Sequence, residues 1–316
     1  MITEILLQIG QMLLVVALAP LLSGYVRKLK ARLQRRQGPP LLQSYRDLLK
    51  LLRKEAVLAD NASWLFRAAP YLILAATWTA ASLVPTFATG LPISKSADLL
   101  VIVALLGSAR FFMALAGLDI GTSFGGIGSS REVMIASLAE PALIIVAFTL
   151  ALIAGSTQLS VIAAFMSSGE AGLRVSLALA LVALIIVALA ENARIPVDNP
   201  ATHLELTMVH EAMVLEYSGR HLAVIELASA LKLLLYVSLI VAVFMPWGLA
   251  RPGSAPAEYA IGAVSYLVKA AFAGLMLAVF ETSIAKMRVF RVPEFLGISL
   301  MLALLGALLM FVTRSL

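Results

Sequence analysis

Between Glu191 and His210 the chain sets Glu191, Arg194, Asp198, His203, Glu205 and His210, six ionisable side chains within twenty residues, between two long apolar runs. An ionisable group beside hydrocarbon is costly unless it pairs, meets water or carries an ion. This density of carboxylate and imidazole therefore fits a proton path or a charged docking site. A plain solvated loop would share the composition, and the order of the residues is what separates the readings. Further charges interrupt the apolar runs themselves: Arg110, Glu140, Glu226, Lys232, Lys269 and, at the end of one run, Glu281. Burial moves a carboxylate or an amine toward neutrality, where it can trade protons. Any one of these groups could merely pair with a neighbour. Together Glu140, Glu191, Glu205, Glu216 and Glu281 put more acid than base on one side, which structural pairing does not require. The expected ion path is Glu140, Glu191, Asp198, Glu205, Glu211 and Glu216, continued at mid-depth by Lys232 and Lys269, with Glu281 at the inner end. His203 and His210 are seven apart, too far along a helix for a compact two-His metal site, which prefers i and i+4. No metal site is expected.

These residues must be carried by membrane helices. Of the 316 residues, 61% are hydrophobic and 13% are charged, against about 25% charged in soluble domains. The chain has no Cys, which excludes thiolate zinc sites and Cys-ligated iron–sulfur clusters within it. A span needs about 20 apolar residues. Segments 3–25, 69–88, 98–118, 133–154, 174–191, 222–246, 260–281 and 294–313 qualify. The expectation is a single all-α domain over 1–316, a polytopic integral membrane bundle of about eight transmembrane helices. Ile5–Leu22 has no basic segment before it and reads as a retained span rather than a signal peptide.

The loop from Arg27 to Arg67 holds eleven Lys and Arg. The positive-inside rule then makes 27–67, 119–132, 192–221 and 282–293 cytoplasmic and puts both termini outside. Within the first loop, after Gly38-Pro-Pro40, Leu41, Leu48 and Leu52 fall near one face, with Arg46, Lys50, Arg53 and Lys54 largely on others. This predicts an amphipathic helix in the cytoplasmic interface, in contact with the lipid bilayer and open to a soluble partner. Thr202-His-Leu-Glu205 is a capping box that starts a helix at about 203, with Gly219 as its stop. Gly121–Ser130 reads as a flexible or close-packing connection. There is no phosphate loop after a strand, so nucleotide binding is not expected, and Ser and His occur without a nucleophile elbow; nucleic acid is not an expected partner.

The longer motifs carry a resemblance. Glu191-x-x-Arg194-x-Pro196-x-Asp198, Glu205-Leu206 and Glu216-Tyr-Ser-Gly219, with Gly38-Pro39, Gln43, Asp47, Lys50 and Lys54-Glu55, resemble the respiratory complex I subunit 1 family, whose members anchor the complex to its peripheral arm. Arg35–Leu52 and Thr202–Gly219 look most like the branch of formate hydrogenlyase subunit 4 and the membrane-bound nickel–iron hydrogenases. Quinone-reducing members carry further carboxylates where this chain has Ala201 and His203, which favours the hydrogenase branch. The resemblance implies a non-catalytic membrane subunit of an oxidoreductase complex, in the cell inner membrane and without a cofactor of its own. It would dock a peripheral redox module and relay protons. Implied partners are the nickel–iron hydrogenase large and small subunits, a ferredoxin-like iron–sulfur subunit and antiporter-like membrane subunits. Arg35, Arg36, Arg46, Asp47, Lys50, Arg194, His203 and His210 would form the docking contacts. Other readings are a quinone-site subunit of an NADH:quinone oxidoreductase, a purely structural anchor and a stand-alone secondary transporter.

Overall fold

The computed structural model of the chain describes residues 2–169, 172, 174–194, 209–284 and 291–315. Asp198, His203 and Glu205, and the expected helix start near 203, lie outside the described residues. The helices are α1 (Ile2–Leu33), α2 (Gln43–Leu52), α3 (Trp64–Leu83), α4 (Leu99–Asp119), α5 (Ser123–Ala154), α6 (Leu159–Ser167), α7 (Val175–Glu191), α8 (His210–Val214), α9 (Gly219–Phe244), α10 (Pro256–Ser283) and α11 (Val292–Ser315). Each of the eight expected spans falls on one of them. Among the described residues there are no strands, only isolated bridges at Ala88–Ala250 and Asp98–Gln158. Six helices, α1, α4, α5, α9, α10 and α11, are long and apolar enough to cross a membrane, and α7 is a shorter apolar helix.

The most deeply packed of these is α9. It runs against α1, α2 and α3 and also touches α6 and α7, while α5, α7 and α11 form a second packed group that α4 joins to α3. One core cluster links α1, α4, α5, α7 and α9, including Leu106, Val146, Leu184 and Leu234. Small residues let backbones approach, as membrane helices require: a Cβ at Gly306 of α11 would lie 3.1 Å from the Ser176 carbonyl of α7. Ser299 of α11 donates to the Ala183 carbonyl of α7 at 2.9 Å.

Two expectations from sequence are revised. Gly121–Ser130 is not a connection between spans, because Thr122 caps a helix that starts at Ser123. A Cβ at Gly125 would overlap the Gly117 carbonyl, and one at Gly128 would lie 2.9 Å from the Val209 carbonyl. The glycines are there for close packing, and α5 gains ten residues over 123–132. Gly219 does not stop a helix. With φ +51° it opens α9, and a Cβ on it would overlap the Glu55 carbonyl.

That contact is one end of a clasp between the first and fifth loops. The Ser218 hydroxyl accepts from the Val57 amide and donates to the Val57 carbonyl, both at 2.8 Å. Tyr217 stacks on Phe66 with ring centroids 4.0 Å apart and donates to the Phe66 carbonyl at 3.0 Å. Burial first, then the nearby Asp119 carboxylate, push the Tyr217 phenol above its ordinary pKa, so it remains a donor.

Helix α2 lies across α1 and α9. Ser44, Asp47, Leu48 and Leu51 are partly covered, Leu49 and Leu52 are exposed, and Arg46, Lys50 and Arg53 are exposed on a third side. A three-sided helix of this kind meets protein, lipid and water at once.

Candidate functional site: a charged cluster at the end of a short helix

Helix α7 is 17 residues long, about 26 Å at 1.5 Å per residue, while α5 has 32 and α9 has 26. It stops abruptly. Ala193 takes φ +50°, and the Arg194 amide reaches back to the Leu189 carbonyl at 2.9 Å. This is the chain reversal usually given to glycine, and a residue with a Cβ pays about 1 kcal/mol for it. The last helical residue, Glu191, is therefore left among α4, α5 and α9 rather than at the rim of the bundle.

Arg110 of α4 is the hub of what surrounds it. Its Nη1 is 2.9 Å from Glu140 Oε1, its Nε is 3.6 Å from Glu132 Oε1, and its Nη2 pairs with Glu191 Oε1. Lys232 of α9 closes the other side of Glu191, with Nζ 2.9 Å from Oε2. Arg110 is 6% exposed and Glu191 8%. Three carboxylates thus face two cations among the described residues. Fully ionised, the group carries one more negative charge than positive; the Glu132 and Glu191 side chains are covered, while that of Glu140 is 41% exposed.

Two cavities adjoin the cluster. A cavity of about 50 Å³ borders Arg110, Glu132, Glu191 and Lys232, together with Asn192, Ala193, His210 and Ser229. A second, of about 190 Å³, shares Asn192, Ala193, His210 and Ser229 and adds Arg27, Arg194, Glu211 and Glu226. The two share part of their lining, and the second is a polar vestibule between the basic end of α1 and the cluster.

The other expected residues are dispersed. Glu281 is not in the cluster: it accepts from Lys30 at 2.9 Å and from Arg194 at 3.3 Å, tying α10 to α1 and to the end of α7. Lys269 is also apart. Its ammonium donates to the Met245 carbonyl at 2.7 Å and to that of Trp247, just past the C-terminus of α9. Glu211 is exposed at the vestibule and Glu216 is half-buried. Asp47 accepts from Gln43 at 2.8 Å, and Arg35, Arg36, Arg46 and Lys50 are exposed. The structure adds Glu132, which the sequence had placed in a loop, and gives Arg110 its partners. The available signal for Glu132 was its position eight residues before Glu140, two helical turns away, once the helix is extended back to 123.

The profile of the NADH dehydrogenase family matches residues 6–313. The chain belongs to this family. Within the family's relatives, it is 36% identical over 291 residues to formate hydrogenlyase subunit 4 of Escherichia coli K12, covering 92% of this chain and 94% of that protein. It is 35% identical to hydrogenase-4 component C of the same organism, over 78% of this chain and 77% of that one. An NADH-quinone oxidoreductase subunit of Rhodospirillum centenum is 27% identical over 78% and 74%. The fold of this NADH dehydrogenase family member matches a chain in the structure of the membrane-bound sulfane sulfur reductase, an archaeal respiratory membrane complex, with TM-score 0.81 over 98% of this chain and 99% of that one at 21% identity. The chain is a multi-pass membrane protein of the complex I subunit 1 type, and its similarity to hydrogenase subunits agrees with the branch implied by its two long motifs.

Proposed function

We propose that this chain is the membrane anchor and ion-coupling subunit of a hydrogenase-type oxidoreductase complex of the inner membrane. The observation that carries the coupling role is the group of three carboxylates and two cations at the end of α7, built on the buried Arg110–Glu191 pair and flanked by a polar vestibule. Support for the anchor role comes from the relatives and from the clasp that fixes the first loop, with exposed Arg46 and Lys50, against the fifth.

In this reading the chain spans the bilayer eight times with both termini outside, and 27–67, 119–132, 192–221 and 282–293 face the cytoplasm. The peripheral hydrogenase and ferredoxin-like subunits sit on α2 and the vestibule rim, with Arg35, Arg36, Arg194 and His210 among the contacts. Protons enter past Glu211 and His210 and are held by Glu191, Glu132 and Glu140. Antiporter-like membrane subunits receive them beside the bundle.

Two experiments test this. Gentle purification of the tagged chain should bring nickel–iron hydrogenase and ferredoxin-like subunits; recovery of the chain alone would sink the anchor role. Glu140→Gln and Glu191→Gln should leave the complex assembled and electron transfer running while proton movement fails. Normal pumping by both variants would end the relay reading. The quinone-linked alternative rests on the Rhodospirillum centenum relative, and inhibition of turnover by a quinone-site inhibitor would identify it.

A further inference from the structure

Helices α3 and α9 begin side by side. Phe66 and Tyr217 stack with ring centroids 4.0 Å apart, and further along both helices Tyr71 meets His221 edge to face at 5.7 Å. The two helices therefore leave the same edge of the bundle in the same direction. Two arginines stand at this edge. Arg67 precedes Tyr71 by four residues and shares its face of α3, and Arg220 is the residue before His221. Both are exposed, and neither enters an ion pair among the described residues. The Asp119 carboxylate, at the adjoining end of α4, is engaged by the Ser63 amide at 3.1 Å. The two helix N-termini add the positive ends of their dipoles. At α9 the first amides have no side-chain cap, because the Ser218 hydroxyl is engaged by Val57. In the same first turn His221, 5% exposed, has an Nδ1 without a hydrogen-bond partner among the described residues.

The exposed side of α3 continues from these charges as apolar surface. Trp64, Tyr71, Leu72 and Trp78 are exposed, Trp64 at 76%. Exposed Trp and Tyr at the end of a membrane helix sit at the level where headgroups meet acyl chains, and basic residues between membrane helices bind anionic headgroups. A free anion would use the cations and leave the aromatic stripe bare. A phospholipid has a charge for the first and chains for the second. We propose that the paired N-termini of α3 and α9 hold the phosphate of an anionic phospholipid, with Arg67 and Arg220 as its cations and Trp64 and Tyr71 against its glycerol and chains. The topology proposed above makes this a lipid of the cytoplasmic leaflet.

The test uses the whole complex carrying the photo-crosslinker Trp64→benzoylphenylalanine, in nanodiscs of phosphatidylcholine and phosphatidylglycerol at equal fractions. After illumination, the peptide containing position 64 is analysed by mass spectrometry. The expected adduct is phosphatidylglycerol, favoured over phosphatidylcholine, with its yield falling by about fivefold for each of Arg67→Gln and Arg220→Gln, the scale of one cation at a lipid surface. Arg67→Lys with Arg220→Lys should keep the preference. Equal labelling by the two lipids overturns the proposal, since the contact is then ordinary solvation by the bilayer. Loss of the lipid adduct on adding inorganic phosphate also overturns it and assigns the cations to a free anion. A crosslink to another subunit instead of lipid overturns it and makes this edge a protein interface. The comparison of the two lipids needs no arginine variant, so it decides the matter even where the Gln variants fail to assemble. If the preference is absent while Glu191→Gln uncouples, this inference fails and the relay stands.

Discussion

Lys232 and Lys269 look alike in the sequence, each a lone amine inside an apolar run, yet they sit in different electrostatic surroundings. Lys232 faces a carboxylate in a cluster with acid to spare. Lys269, midway along α10, faces no carboxylate among its described contacts. It meets the carbonyls of Met245 and Trp247, with the Trp247 ring centroid 5.2 Å away. Carbonyls at the C-terminus of a helix carry the negative end of its dipole and lack partners of their own. Lys269 supplies the missing donor. A carbonyl cannot take up a proton at ordinary pH and a carboxylate can, so of the two lysines only Lys232 stands where the proposed relay could use it.

The comparison can be broken in several ways. The largest effect is expected from Arg110→Leu, which leaves Glu132, Glu140 and Glu191 without their shared cation. Removing one partner of a buried pair costs about 3–5 kcal/mol, so little assembled complex should appear on a native gel. Next comes Lys232→Met, where we expect an assembled complex with proton movement lost at undiminished electron transfer, measured in vesicles with a pH-sensitive dye. Lys269→Met should lower thermal stability by about 1 kcal/mol, the scale of a charge at a helix terminus, with coupling intact. Uncoupling by that variant would erase the contrast between the two lysines. The smallest effect belongs to Glu281→Gln. The Glu281 side chain is 6% exposed, but its partners Lys30 and Arg194 are 40% and 24% exposed and can turn to water once it is neutralised, so the loss is expected at the scale of exposed bridges, about 0–1 kcal/mol. A melting curve within a few degrees of the parent is the expected result, and loss of assembly would show that this tie holds the end of α7 in place.

The clasp around Gly219 can be broken independently of the charged cluster. Gly219→Ala meets both a positive φ and the Glu55 carbonyl. We expect lower yield of the complex and faster proteolysis between Lys54 and Val57, followed by limited digestion; unchanged digestion would mean the first and fifth loops are held by other contacts.

The helices were legible in the sequence because a bilayer leaves few options. Runs of about 20 apolar residues must be helical where no water can satisfy the backbone, and α1, α4, α9 and α10 follow from that alone. The first-loop helix was legible for a related reason, since Leu48 and Leu52 recur at helical spacing, although Leu41 falls before its first turn and only Leu48 of the three is covered. Where polar residues or glycine diluted the apolar signal, it failed. Residues 123–132 belong to α5 because their glycines allow contact with Gly117 and Val209, a reason that exists only once those partners are packed.

The same division runs through the site. Sequence by itself determined which residue types are available: an excess of carboxylates toward one end, no Cys, and charges where hydrocarbon would forbid them unpaired. It could not decide their pairing, because Arg110 and Glu191 are 81 residues apart, and their meeting depends on where α7 ends. That end is set by the reversal at Ala193 and by the packing of α7 on α5 and α11. Tertiary structure alone therefore decided that Lys232 joins the acids, that Lys269 meets the carbonyls past the end of a helix, and that Glu132 stands beside Arg110.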